Sequence, residues 1–80
     1  MSKDHKPENP VEMDRITKAG GTVSFGRVNG CLNLSRAMGD FEYKKDGKKP
    51  EDQMITAWPD VIKVKTESID FIIMGCDGIW

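Results

Sequence analysis

The residue best placed to do chemistry is Asp77. It follows Phe71, Ile72, Ile73 and Met74, an apolar run with no polar alternation. So short a run, rich in β-branched and aromatic residues, reads as a strand covered on both faces. Gly75 and Cys76 are small and let other chain pack close. Asp77 then stands where the apolar run stops, with Gly78 directly behind it. A carboxylate fixed at a strand tip, with a glycine giving the backbone room to turn, suits a hard divalent cation. The same dipeptide is also a common turn, so the residues alone leave both readings open. His5 is the only histidine and lies in a charged stretch, which assigns it no catalytic role. Residues 41–52 fail as a calcium loop: with Gly47 as the loop glycine, Lys44 falls on a ligand position and Gln53 where a bidentate Glu belongs. Residues 21–27 fail as a phosphate loop, because no Lys-Ser or Lys-Thr follows Gly26.

The elements that must position Asp77 can be read in order. Asn9 is a candidate N-cap, Pro10 suits the first helical position, and Glu12 has the spacing of a capping box. A helix over 11–19 follows, with Met13, Ile16 and Ala19 along one face. Glu12 is spaced to meet Arg15, and Asp14 to meet Lys18. Gly20-Gly21 ends the helix. Residues 22–28 read as a strand with Val23 and Phe25 on one face. Asn29-Gly30 is the strongest hairpin signal, and 31–34 is the return strand. Residues 35–40 form a tight connection that an Arg36–Asp40 pair would fix. Residues 41–52 are a charged surface loop, 54–58 and 61–65 are strands, and 66–68 turns the chain into the terminal buried strand. One helix with antiparallel strands is the α+β class.

Composition narrows the function classes. The 80 residues carry 12 basic and 13 acidic side chains, a net charge of -1. This balance argues against nucleic acid or a polybasic membrane contact as partner. No apolar run has membrane length, and residues 3–9 are too polar for a signal peptide. Cys31 and Cys76 match no metal-ligand spacing and read as buried free thiols of a reducing compartment. The core would be thin. Ordering the backbone costs on the order of 80–160 kcal/mol, so the chain reads as a fragment that does not fold alone.

Several short motifs, taken together, carry a resemblance. In order they are Asp4-His5-Lys6-Pro7; Glu12 with Arg15-Ile16; Ala19-Gly20-Gly21; Arg27-Val28-Asn29-Gly30; Leu34-Ser35-Arg36-Ala37-Met38-Gly39-Asp40; Pro59-Asp60-Val61; Phe71-Ile72-Ile73; and Cys76-Asp77-Gly78-Ile79-Trp80. This order resembles the protein phosphatase 2C family, the metal-dependent serine/threonine protein phosphatases. The resemblance implies a two-layer antiparallel β-sandwich flanked by helices (αββα), of which residues 1–80 would be part of one catalytic domain with both its ends missing. It implies two Mg²⁺ or Mn²⁺ ions and a metal-bridging water that attacks phosphoserine or phosphothreonine. Asp77 matches the family's metal-binding aspartate. Residues of about 11–30 match a mobile flap that meets phosphorylated protein substrates and, in plant relatives, regulatory proteins. The motif at 35–40 matches a structural signature. A monomeric, intracellular parent, in cytoplasm or nucleus, is expected.

The family's Asp-Gly-His-Gly-Gly motif, its phosphate-gripping arginine and its last Asp-Asn motif have no counterpart in these 80 residues. One carboxylate cannot hold two divalent ions, so this polypeptide by itself is expected to be inactive. The alternative reading is a segment of a catalytically inactive phosphatase-like regulatory or protein-binding module.

Overall fold

The structure is a computed structural model that describes residues 1–80. Helix α1 spans Pro10–Lys18, with Pro10 at its first turn. The capping box does not form. The Asn9 side chain donates instead to the Asp4 carbonyl (2.9 Å), and the Glu12 carboxylate is turned inward, 1% exposed. At the other end Gly20, at φ 92°, lets the Gly20 and Gly21 N–H groups donate to the Thr17 and Ile16 carbonyls (3.0 and 2.9 Å). This is a Schellman ending. A Cβ on Gly21 would stand 2.7 Å from the Met54 sulfur and 3.0 Å from Ile16 Cγ2, so any larger residue there would have to displace the Met54 side chain.

The glycine pair feeds β1 (Val23–Ser24), which pairs antiparallel with β2 (Arg27–Val28) in the register Val23↔Val28 and Ser24↔Arg27. The stretch expected as one strand over 22–28 therefore folds back on itself. Phe25 and Gly26 make the turn with φ of 51° and 69°, the signs of a type I′ hairpin. Phe25 does not share a packed face with Val23; it is fully exposed at the tip. The expected turn at Asn29-Gly30 is present, with φ of 51° and 73°. Its return strand shrinks to one bridge, Val28↔Leu32. Asn29 spends its hydrogen bonds on Thr22: its N–H donates to the Thr22 carbonyl (2.8 Å) and its Oδ1 accepts from the Thr22 N–H (3.0 Å).

The core is small. Ile16, Val28 and Ile55 are wholly buried, with Val23, Leu32, Ala37, Tyr43 and Met54 packed against them. The strand expected over 54–58 is reduced to one parallel bridge, Arg36↔Thr56. Residues 41–52 form a surface loop with short 3-10 turns at Phe41–Tyr43 and Pro50–Asp52. The buried Gln53 amide ties it, accepting from the Lys45 N–H and donating to the Lys45 and Lys48 carbonyls (2.8, 2.8 and 3.0 Å).

Beyond Thr56 the picture changes. Every residue from 57 to 80 is exposed except the half-buried Ile69. The expected strands at 61–65 and 71–76 are not formed, and Phe71, Ile72, Ile73 and Met74 are 69–90% exposed. A lone strand leaves its N–H and C=O groups without a ladder, and this chain sets no second strand beside it. The radius of gyration, 14.8 Å, exceeds the about 12 Å of a compact chain of this length. Both cysteines are exposed, not buried as expected; Cys76 lies in this open segment and Cys31 on the Asn29-Gly30 turn. What the structure contains is a helix and a two-stranded antiparallel ribbon, consistent with the α+β class. No helix is long and apolar enough to cross a membrane.

Candidate functional site

The most densely wired part of the molecule is built around Glu12. Position 12 lies one turn before Ile16 and two before Ala19, so α1 aims the carboxylate into the core side. Arg36 grips both of its oxygens, Nε to Oε1 at 2.7 Å and Nη2 to Oε2 at 2.8 Å. Ser35 Oγ and Arg15 Nη1 also donate to Oε1 (2.9 and 3.1 Å). Burial alone would push the carboxyl pKa up from 4.5. The hydrogen bonds from Arg36, Arg15 and Ser35, with the Arg15 charge, outweigh it and hold the group at about 2. The pair with Glu12 drives the Arg36 pKa further up, against burial and with help from Asp60.

Arg36 has a second set of partners. Its Nη1 donates to the Trp58 carbonyl (3.1 Å) and to Asp60 Oδ1 (3.0 Å). The pairing expected with Asp40 is not made; Asp40 instead starts the first 3-10 turn at φ 48°. Asp60 Oδ2 lies 3.2 Å from His5 Nε2, and His5 Nδ1 lies 3.9 Å from Glu12 Oε2. Residues 5, 12, 15, 35, 36 and 60 thus form one connected polar network, and no buried side-chain polar atom lacks a partner. An open groove of about 1100 Å³ runs beside it, lined by His5, Arg36, Met38, Trp58 and Val61 among others.

A carboxylate with a pKa of about 2 and four donors on it, three on Oε1 and one on Oε2, carries no proton near neutral pH. It can hold chain segments together; it cannot serve as an acid or base. Helical spacing implies the Glu12–Arg15 pair, but not the burial of Glu12, whose expected place is the capping box. The available signal was that Glu12 shares the i, i+4, i+7 stripe with Ile16 and Ala19, where an acidic residue is either exposed at the edge or buried and paired.

Asp77 is elsewhere. It is exposed and opens a turn over residues 77–79, closed by the Ile79 N–H on the Cys76 carbonyl (2.9 Å). No group of three His, Cys, Asp or Glu residues stands close enough to hold a metal ion. The residues of this chain therefore do not make a divalent-metal centre on their own; Asp77 is a single accessible carboxylate.

Comparison with known proteins places the chain. The family model described as protein phosphatase 2C matches residues 1–80. Protein phosphatase 2C homolog 2 of Schizosaccharomyces pombe is 60% identical over 82 aligned residues, covering 100% of this chain and 22% of the relative. Protein phosphatase 2C 1 of Paramecium tetraurelia is also 60% identical over 82 residues, covering 100% of this chain and 27% of the relative. The chain therefore spans about a quarter of the length of these relatives. The crystal structure of a phosphatase from a pathogenic strain of Toxoplasma gondii superposes with a TM-score of 0.70 at 51% identity, over 74% of this chain and 19% of that one. With the helix, the hairpin and every motif in order, the chain belongs to the protein phosphatase 2C family.

Proposed function

We propose that these residues are part of the catalytic domain of a metal-dependent protein serine/threonine phosphatase, which hydrolyses phosphoserine and phosphothreonine. The observation that carries this reading is the family match over residues 1–80 with Asp77-Gly78 intact at its end. Asp77 would supply one carboxylate oxygen to a Mg²⁺ or Mn²⁺ ion, hard cations that prefer such ligands. Its exposure and its freedom from protein partners in this chain are compatible with that role. The remaining ligands must come from outside these 80 residues, so the isolated chain has no phosphatase activity.

Residues of about 11–30 are the part that meets phosphorylated protein substrates or a regulatory protein. The support is Phe25, a bulky aromatic held at positive φ and fully exposed on the hairpin tip. Such a residue is costly for folding and is kept more readily where a partner uses it.

The test is phosphopeptide hydrolysis by the full-length protein, with and without added Mn²⁺ or Mg²⁺ and after chelation. The reading expects turnover that needs the ion and stops on chelation. Absence of turnover, or turnover indifferent to chelation, would overturn it.

A further inference from the structure

No backbone hydrogen bond joins residues 9–32, the helix with its hairpin, to residues 35–60. The two parts meet through the Ile16, Val28 and Ile55 contact and through side chains. Apolar contact is non-directional and leaves a packed unit free to rock. The directional fasteners are few. Arg15 donates to the Gln53, Ser35 and Met54 carbonyls, and Glu12 takes the two-pronged grip of Arg36 and the Ser35 hydroxyl. Of these, the Glu12–Arg36 pair is the one in which both oxygens of a carboxylate face two nitrogens of a single guanidinium, a charge-assisted grip that sets an angle as well as a distance.

We propose that the Glu12–Arg36 pair is a positioning device that sets the pose of the Val23–Val28 hairpin, and with it the Phe25 tip, relative to the rest of the domain. The mechanical path is short. Glu12 is one turn from Ile16, which packs on Val28, and the Ile16 carbonyl accepts the Gly21 N–H that leads into β1. Asn29 closes the base of the hairpin on Thr22. A tilt of α1 therefore moves β1, β2 and the tip as one body. The same Arg36 reaches Trp58 and Asp60, so the hairpin's angle is referenced to the wall of the groove. Glu12 and Arg36 act through other residues and touch no substrate.

This inference rests on the reading that the hairpin meets phosphoprotein substrates. The experiment uses the full-length protein with Glu12→Gln, which keeps shape and one acceptor oxygen but loses the charge. Two readouts are taken: amide hydrogen exchange, and the ratio of kcat/KM for a phosphopeptide to that for an aryl phosphate too small to reach the hairpin. Loss of a charge-assisted, two-pronged bond predicts that exchange in residues 23–28 quickens about tenfold relative to residues 53–56, and that the ratio falls about tenfold through KM. Arg36→Lys keeps the charge beside Glu12 but cannot grip both oxygens, and gives the same two results if Glu12→Gln does not fold. Hairpin exchange unchanged, or both substrates losing efficiency in parallel, overturns the proposal. So does failure of both variants to fold, which would make the pair a folding element only. Wild-type protein inactive on both substrates counts against the phosphatase reading instead, while the exchange arm still decides on the hairpin.

Discussion

Glu12 and Asp77 are both acidic residues set among apolar neighbours, and the chain treats them in opposite ways. Glu12 is 1% exposed, surrounded by Arg15, Ser35 and Arg36, and its neighbourhood from Pro7 to Thr56 contains every buried residue of the molecule. Asp77 is exposed, and the apolar run before it is bare. The difference is a matter of where partners come from. Everything Glu12 needs lies within the 80 residues. The run ending at Asp77 needs strands on either side and covering layers, and this chain does not hold them. A carboxylate satisfied by its own chain is committed to architecture; one without partners is available for a ligand.

The contrast can be broken at its strong end first. In the full-length protein, Arg36→Ala removes two of the four donors on a buried carboxylate, leaving Oε2 without any, and should destabilise by about 3 kcal/mol or more, read as a denaturation midpoint. Asp60→Ala removes the half-exposed partner on the other side of Arg36 and should cost less than about 1 kcal/mol. Equal costs would mean that Glu12 is not the anchor. Acid sharpens the same point. The Glu12 pKa is lowered in the folded state, so the stability it confers is complete above 4.5 and is lost as pH falls toward about 2. A shift of this size corresponds to about 3 kcal/mol. Acid titration of stability should lose that slope in Glu12→Gln.

Two turns give smaller effects of opposite sign. Gly30 sits at φ 73°, where a Cβ would meet only the Ser24 hydroxyl, at an ordinary 4.0 Å, so Gly30→Val should destabilise by about 1 kcal/mol or more, chiefly through backbone strain. Phe25→Asn should stabilise by about 0.5 kcal/mol, because asparagine tolerates positive φ and nothing packs on the phenyl ring. A loss of stability there would mean that the ring is packed in solution.

These residues also mark how far sequence reasoning reaches. The helix was legible at both ends, because Pro10 and Gly20-Gly21 are local signals whose physics needs no distant partner. Asn29-Gly30 was legible for the same reason. Phe25-Gly26 was not: a phenylalanine gives no hint of positive φ, and the apolar-polar alternation around it imitates one straight strand. The Glu12–Arg36 pair joins residues 24 positions apart, and the nearer Asp40 looked the easier partner for the arginine. At the terminal run the apolar composition implied a buried strand, whereas residues 71–74 are exposed and no second strand lies beside them, because burial depends on partners that local composition does not name. Asp77-Gly78 was legible as a motif, and the turn it makes here fits either reading of the dipeptide.

The most direct measurement is Mn²⁺ affinity of the full-length protein, wild type beside Asp77→Asn, by titration calorimetry. Asparagine serves a turn as well as aspartate does but removes the charge that a divalent ion needs. Affinity is expected to fall about tenfold or more, with the thermal midpoint of the metal-free protein unchanged. Equal affinity in the two proteins would contradict the metal-ligand role and leave Asp77 as a turn residue.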